Sequence, residues 1–457
     1  MSAMRYIPNT DRDIAGMLEV IGVKSAEDLF GEVPSCCLLR KPLGIPPPLG
    51  EAQLLGRLGE LARDNANLRE FSSFLGGGTY HHFIPAVVGH LAGRSEFTTS
   101  YTPYQPEISQ GTLQAIFEYQ TFICLLTGLD VSNASMYDGA SSAAEAVLMA
   151  SRIKRTNRVA LSRAVHPDYR ETIKTYCAQQ AGEIVDLPFD ASGRTDLSAL
   201  RAALSSGPKG GTACALVQSP NFFGVVEPLD EWGRIARENG ALFISAFTEP
   251  LALGLIKPPG ESGADIACGE GQSFGIPPGF GGPHLGILAA KKEYTRNLPG
   301  RIVGQGADKE GRRAFVLTLT AREQHIRREK ATSNICTNEG LCALTASIYL
   351  TALGKRGFHR LAVLNHRRAE YAKRALSRVA GAQVRFSGPT FNEFVLRVKG
   401  DPAAIRDRLA GKKILAGIPL GRYYEELGDC LLVTCTEMNS EEEIDELAGA
   451  LGEVSGP

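Results

Sequence analysis

The sequence predicts an α/β protein, a doubly wound, mainly parallel sheet followed by a smaller α+β domain. Three observations lead there. Apolar runs recur at Val159–Ser162, Ala213–Gln218, Ala241–Phe247, Ala264–Cys268 and Leu285–Ala290, with helical patterns between them. Runs apolar at successive rather than alternate positions belong to strands covered on both faces, as in parallel sheets joined by crossover helices. After a long helical stretch, Asn338–Gly354, the order changes to a helix over His359–Ala380, a strand over Asn392–Val398, a helix over Pro402–Leu409 and a strand over Cys430–Cys435. Finally, 457 residues exceed the single core of about 100–200 residues that one ordinary domain holds.

The N-terminal segment is of another kind. Ile14, Met17, Leu18 and Ile21 fall at helical spacing within Thr10–Leu29, and Pro46-Pro47-Pro48 breaks the chain before a second helical pattern over Glu51–Leu68. Gly76-Gly77-Gly78 then gives the backbone freedom for a sharp reversal. The expected domains are therefore 1–70 as a helical arm, 71–354 as the large domain and 355–457 as the small one.

Composition removes several function classes. With 43% apolar residues, 22% charged residues and a net charge of -1, the chain is average for a globular protein and has no field with which to grip a phosphate backbone. No run approaches the roughly 18 apolar residues of a membrane helix. The stretch Met1–Gly16 carries Arg5, Asp11, Arg12 and Asp13 and lacks an apolar signal core, so a cytoplasmic protein is expected. Ten cysteines, including the adjacent Cys36 and Cys37, form no C-x-x-C pair and fit a reducing compartment. The charged runs Arg327–Lys330 and Glu441–Glu443 read as solvated helix faces.

Gly271-Gln272-Ser273-Phe274-Gly275 matches the G-x-S-x-G nucleophile elbow and follows an apolar strand. An elbow must pass straight from its serine into a helix, and Ile276-Pro277-Pro278-Gly279-Phe280-Gly281-Gly282-Pro283 does not allow one, so Ser273 is set aside as a nucleophile. There is no phosphate-binding G-x-x-x-x-G-K-[ST] loop and no H-E-x-x-H, and Gly269 and Gly271 lack a third glycine at Rossmann spacing. His81-His82 has no third metal ligand nearby and reads as structural or pocket-lining.

Three polar segments remain. Thr99-Ser100-Tyr101-Thr102-Pro103-Tyr104-Gln105-Pro106-Glu107 places two phenols, an amide and a carboxylate on a chain stiffened by two prolines, suited either to positioning a ligand or to an extended surface connection. Ser135-Met136-Tyr137-Asp138-Gly139-Ala140-Ser141-Ser142 opens a helical run; Ser141 or Ser142 is a cap, and the N–H groups of the helix start are suited to an anion such as phosphate. His166 follows the Val159–Ser162 strand and precedes Pro167, within reach of the carboxyl ends of the strands where open parallel sheets bind ligands. A structural histidine would look the same.

Taken together, these segments resemble the P-protein family of the glycine cleavage system, specifically its N-terminal half or, in two-chain versions, its α subunit. The resemblance covers essentially the whole chain. It is carried by Tyr101-Thr102-Pro103-Tyr104-Gln105-Pro106-Glu107-Ile108-Ser109-Gln110-Gly111, by Asn133-Ala134-Ser135-Met136-Tyr137-Asp138-Gly139-Ala140, by Gly281-Gly282-Pro283-His284 and by the run from Arg322-Glu323-Gln324-His325 to Ser333-Asn334-Ile335.

The resemblance implies the aspartate-aminotransferase type of pyridoxal-phosphate (PLP) fold (fold type I), in agreement with the order of strands and helices. It also implies a lysine for the Schiff base and an acid against the pyridinium nitrogen. Registering the Gly/Pro loop on Ile276–Pro283 puts Gln272 in the lysine position and Ser245 in the acid position. Glutamine forms no imine and serine carries no charge, so both functions are missing together.

With both missing, the resemblance implies a degenerate half whose PLP is held by a lysine-bearing β subunit, an αβ pair doubled into a tetramer, and a lipoylated H-protein that receives the aminomethyl group of decarboxylated glycine. Tyr101, Tyr104, Gln105 and Glu107 are expected to shape the pocket. Ser245, Gln272, His166, Tyr137, Asp138 and Ser141 are expected at the degenerate counterpart of the cofactor site. Two other readings stay open: a self-sufficient PLP enzyme using Lys257, Lys291, Lys292 or Lys330, and a scaffold that only stabilises the β subunit.

Overall fold

The structure is a computed structural model describing residues 8–39, 41, 43–99, 101–178, 182–206, 211–335 and 337–454. Residue 100, within the 99–107 stretch, lies outside the described residues, as do residues 1–7 of the N-terminal segment. The chain forms two compact units, residues 1–65 and 66–457. In the first, helix α1 (Asp11–Ile21) opens on a capping box between Thr10 and Asp13 and closes on Gly22 at φ +83°; helix α2 (Glu51–Arg63) follows. The helix expected to run to Leu68 stops at Arg63, because the Asn65 side chain turns back onto the Leu61 carbonyl (3.2 Å) in place of another helical turn.

In the second unit, after a short strand (Ser72–Ser73) and two short helices (Ala86–Ala92 and Ser95–Thr98), come helix α3 (Gln110–Thr127), strand β1 (Val131–Ser132), helix α4 (Gly139–Lys154), strand β2 (Val159–Ser162) and helix α5 (Pro167–Cys177). Strand β3 (Ile184–Leu187), helix α6 (Leu197–Ser205), strand β4 (Cys214–Gln218), helix α7 (Leu229–Glu238), strand β5 (Leu242–Phe247), strand β6 (Ile266–Glu270) and strand β7 (Gly286–Ala290) complete the large sheet. Its seven strands run in the order β1-β7-β6-β5-β4-β2-β3. Strands β3, β2, β4, β5 and β6 are mutually parallel, while β7 is antiparallel to β6 and β1 antiparallel to β7. The five apolar runs of the sequence are β2, β4, β5, β6 and β7, to within two residues at either end.

Alternation along the strands explains why the runs are continuous. Leu161, Leu216, Ile244, Cys268 and Leu288 pack with the alanines of α4 on one side. Their neighbours face other helices: Ala215, Val217 and Phe243 pack with α6 and α7, and Ala267, Ile287 and Ala289 pack with Tyr119 and Ile123 of α3 and with Ala346 and Tyr349 of the following long helix. Both faces of the central strands are buried, so their positions are mostly apolar, and the polar ones, such as Ser162, Gln218, Ser245 and Glu270, are buried with them.

A hairpin of β8 (Ile302–Ala307) and β9 (Arg313–Thr318) precedes that long helix, α8 (Gly340–Leu376), which is interrupted at Gly354 (φ +59°, ψ 174°) between the two helical stretches read from the sequence. The C-terminal part is a four-stranded antiparallel sheet, β10 (Ala382–Val384), β11 (Glu393–Val398), β12 (Ile418–Pro419) and β13 (Cys430–Thr434), in the order β10-β11-β13-β12. The end of α8, α9 (Pro402–Ala410) and α10 (Glu441–Val454) pack on it through Leu376, Leu409 and Leu447. Among the described residues no helix is long and apolar enough to cross a membrane.

Candidate functional site

At the carboxyl ends of the parallel strands stand His166 after β2, Gln218 at the end of β4, Thr248 after β5 and Gln272 after β6. The segment Gly76–His82 ties them together. Gln272 is buried, and its amide has three partners: Oε1 accepts from the Tyr80 N–H (2.8 Å), while Nε2 donates to the Tyr80 carbonyl (3.0 Å) and to the Ile276 carbonyl (2.5 Å). Ser245 lies inside β5, buried and in register between Val217 and Ala267.

His166 is the N-cap of α5. Its Nδ1 accepts from the Asp168 N–H (3.1 Å), which leaves the proton on Nε2 to bond the Gly77 carbonyl (2.7 Å), and its own N–H donates to Gln218 Oε1 (2.9 Å). Burial pushes the ring's pKa down, in keeping with this neutral tautomer. Gly78, at φ +107°, takes a conformation that favours glycine, and a Cβ there would crowd His166 Nε2 at 3.3 Å.

From Gln218 the network continues to Thr248 Oγ1 (3.2 Å) and on to Tyr80 Oη (3.1 Å), which donates to Glu393 Oε2 (2.8 Å). The other oxygen of Glu393 accepts from the Gly77 N–H (2.7 Å) and from Thr434 Oγ1 (3.0 Å). Burial pushes the Glu393 carboxyl up to about 7 and, with Glu393 beside it, holds the Tyr80 phenol well above its usual range.

The helix start read from the sequence is also engaged. Asp138 is the N-cap of α4, its Oδ1 accepting from the Ser141 N–H (2.7 Å) while Ser141 Oγ accepts from the Asp138 N–H (3.3 Å). The first helical N–H, on Gly139, is taken by Glu270 Oε2 (3.0 Å). Glu270 Oε1 accepts from the N–H groups of Gly271 (3.0 Å), Gln272 (3.0 Å) and Leu285 (2.8 Å). His284 Nδ1 lies 3.3 Å from Glu270 Oε2, and that contact raises the ring's pKa. Tyr137 is half-buried just before the cap.

These residues do not fit PLP. There is no amine at position 272, the amide there has three partners, and the helix start that would face a phosphate carries a carboxylate. The remaining lysines considered are elsewhere: Lys257 is exposed and bonded to Asp230 (2.7 Å), Lys291 is bonded to Asp265 (2.5 Å), and Lys292 and Lys330 are exposed. Ser273 is buried in the turn after β6, and among the described residues its Oγ has no hydrogen-bond partner.

The pocket-shaping group is gathered in a different place. Tyr101 is 93% exposed and lines a cavity of about 270 Å³ together with Pro103, Arg301, Thr337 and Asn338; none of the strand-end residues lines it. Tyr104 accepts a hydrogen bond from Arg301 Nη2 (3.0 Å), and the guanidinium also lies 5.3 Å from its ring centroid. Gln105 and Glu107 are exposed. Arg301 is buried, with Nη1 on Thr337 Oγ1 (2.9 Å) and Nε 3.8 Å from Glu323 Oε2.

Sequence reasoning missed Tyr80, Glu270, Glu393 and Arg301. Glu270 had a local signal, a carboxylate two residues before Gln272. The other three had none, since their partners lie far along the chain.

A model of the glycine cleavage system P-protein family matches residues 4–451. A probable glycine dehydrogenase (decarboxylating) subunit 1 from Anoxybacillus flavithermus is 50% identical over 450 residues, 98% of this chain and 99% of that one. The crystal structure of a glycine decarboxylase (P-protein) of the glycine cleavage system, in inhibitor-bound form, superposes with a TM-score of 0.89 at 44% identity, covering 99% of this chain and 100% of that one. A sphingosine-1-phosphate lyase from Burkholderia pseudomallei shares the fold at 16% identity, with a TM-score of 0.64 over 91% of this chain and 92% of its own. The fold is thus the fold type I of PLP enzymes, and this chain belongs to the glycine cleavage system P-protein family.

Proposed function

We propose that this chain is the subunit of glycine dehydrogenase (decarboxylating) that works without a Schiff-base lysine, and that the PLP of the system is held by its partner. Membership of the glycine cleavage system and the decarboxylating activity follow from the family, and the relatives' designation as subunit 1 implies a second subunit. The observation that carries the division of labour is Gln272. The group that stands after β6 is an amide bonded to Tyr80 and Ile276, with no amine to offer.

In this reading glycine loses CO₂ in the partner's site, and its aminomethyl group passes to one sulfur of the lipoyl disulfide of H-protein while the other sulfur becomes a thiol. The present chain contributes pocket walls through Tyr101, Tyr104, Gln105 and Glu107. Two features support this: Tyr101 is solvent-facing at the edge of a cavity, and Tyr104 is held in place by the buried Arg301. The group Ser245, Gln272, His166, Tyr137, Asp138 and Ser141 is the degenerate counterpart of a cofactor site and serves the fold.

The test uses the chain alone and with its partner. Incubated with PLP and reduced with borohydride, the chain alone should gain no pyridoxyl mass, while the reconstituted pair should exchange glycine carboxyl carbon with CO₂ and carry the label only on the partner. A pyridoxyl group on Lys257, Lys291, Lys292 or Lys330 would replace this reading with that of a self-sufficient enzyme.

A further inference from the structure

Glu270 ends β6 in a cup of backbone N–H groups. One comes from the first turn of α4 (Gly139), two from the turn after β6 (Gly271 and Gln272) and one from the residue before β7 (Leu285), at 2.8 to 3.0 Å. A carboxylate has about four lone-pair sites, and here four backbone donors meet it, with His284 at 3.3 Å beside them. Donors converging from a helix start and a tight turn form the kind of concavity that elsewhere holds phosphate.

The elements that supply these donors pack closely against one another. A Cβ on Gly139 would fall 1.7 Å from Tyr169 Oη, and one on Gly286 would fall 2.5 Å from the Asp138 carbonyl. Helix, turn and strand meet at glycine contact distance around the carboxylate. All four donors are main-chain N–H groups, which suit an acceptor anion in general rather than glutamate in particular.

We propose that this cup is a latent phosphate-binding site whose present ligand is the protein's own Glu270. The carboxylate is an internal anion on the start of α4, and it excludes a phosphate or phosphate monoester by occupancy and by charge. The site is closed twice over: Gln272 lacks the amine, and Glu270 takes the place of the phosphate. This deepens the reading that PLP belongs to the partner and rests on it only for that consequence. It follows that Gln272→Lys alone should not make the chain accept a phosphorylated aldehyde.

The test is thermal unfolding of the full chain as wild type, Glu270→Ala and Glu270→Gln, in inorganic phosphate and in chloride of equal ionic strength. Removing the side chain vacates the cup, so Glu270→Ala should show a phosphate-specific rise in melting temperature of about 2 °C or more. Wild type and Glu270→Gln, whose cups stay filled, should show none. A folded Glu270→Ala that ignores phosphate, or a wild type that responds equally, overturns the proposal. Should Glu270→Ala fail to fold in chloride, phosphate is expected to restore its helical circular dichroism, and failure in both buffers overturns it as well. A borohydride-stable pyridoxyl mass on the wild-type chain would instead overturn the cofactor-free reading, whichever way the phosphate comparison falls.

Discussion

The side chain of Gln272 and the backbone of Tyr80 form a closed pair across 192 residues of chain, with Oε1 accepting from the Tyr80 N–H at 2.8 Å and Nε2 donating to the Tyr80 carbonyl at 3.0 Å. The amide does for segment 76–82 what a neighbouring strand would do, docking it against the turn after β6. Gln272→Ala leaves the Tyr80 N–H and the Tyr80 and Ile276 carbonyls buried without partners. At about 1–3 kcal/mol for each unsatisfied group, a destabilisation of about 3 kcal/mol or more is expected in urea unfolding. Gln272→Lys should be no better, because an ammonium has no acceptor for the Tyr80 N–H. Unchanged midpoints for both variants would remove the docking role.

His82 is buried between two carboxylates, with Nε2 2.9 Å from Glu249 Oε2 and Nδ1 2.9 Å from Glu437 Oε2. Burial alone would lower its pKa, but the two carboxylates outweigh it and raise the ring to about 10. The unfolded value is about 6.5. A group raised on folding stabilises fully below its unfolded pKa, and the contribution fades as pH climbs through the folded one, so the window runs from about 6.5 to about 10. Glu393, also raised by burial, to about 7, acts mainly below this window, and its stabilisation is lost as pH rises from 4.5. The expected result is a wild-type urea midpoint that falls between pH 6.5 and 10. In His82→Asn most of that slope should be gone, with stability at pH 6.5 about 3–5 kcal/mol lower because two carboxylates lose their counter-ion. Parallel pH profiles for the two proteins would show that His82 is not charged in the folded state.

Gly139 begins α4 where a Cβ would meet Tyr169 Oη at 1.7 Å, Tyr169 Cζ at 2.6 Å and the Glu270 N at 3.0 Å. Tyr169 is itself buried and cannot swing away without opening the core. Gly139→Ala should therefore destabilise by about 2–3 kcal/mol through overpacking, read as a lowered urea midpoint with an unchanged slope. Pairing it with Tyr169→Phe removes the nearest atom and should recover part of the loss. No recovery would place the strain at the Glu270 backbone instead.

Legibility in the sequence followed burial. Val159–Ser162 was readable to the residue because both of its faces are covered and all four positions are buried. Ile184–Leu187 escaped notice: it is the edge strand of the same sheet, its apolar run is broken by the exposed Asp186, and four residues are too few to carry a period. The hairpin strand Arg313–Thr318 escaped for the same reason, with only Phe315 buried. In the site, Gln272 and Ser245 drew attention only through the spacing that the family resemblance implies, not through a signal of their own. Tyr80 and Glu393 were not, since their meeting joins positions 313 apart and depends on how the C-terminal sheet packs against the large one. Glu270 lay in plain view, but a carboxylate at the end of an apolar strand has no meaning until the helix start 131 residues earlier is brought to it.

Tyr101 and Tyr104 separate wall from scaffold because the lone chain treats them differently. Tyr104 Oη accepts from the buried Arg301, so Tyr104→Phe should lower the stability of the isolated chain by about 1 kcal/mol. Tyr101 is 93% exposed and should cost the isolated chain nothing when changed to Phe. In the complex with the partner the ranking should differ: if Tyr101 lines the reacting site, Tyr101→Phe lowers kcat/KM for glycine by about tenfold, about 1.4 kcal/mol in the barrier. The affinity of the two subunits should stay unchanged, because a single hydroxyl is removed without loss of ring area. Subunit affinity by titration calorimetry and turnover by CO₂ exchange distinguish the cases. A fall in turnover at constant subunit affinity is the signature of a pocket wall. A fall in affinity with turnover intact at saturating partner makes Tyr101 an interface residue, and no change in either leaves this chain as a scaffold for a site built wholly by its partner.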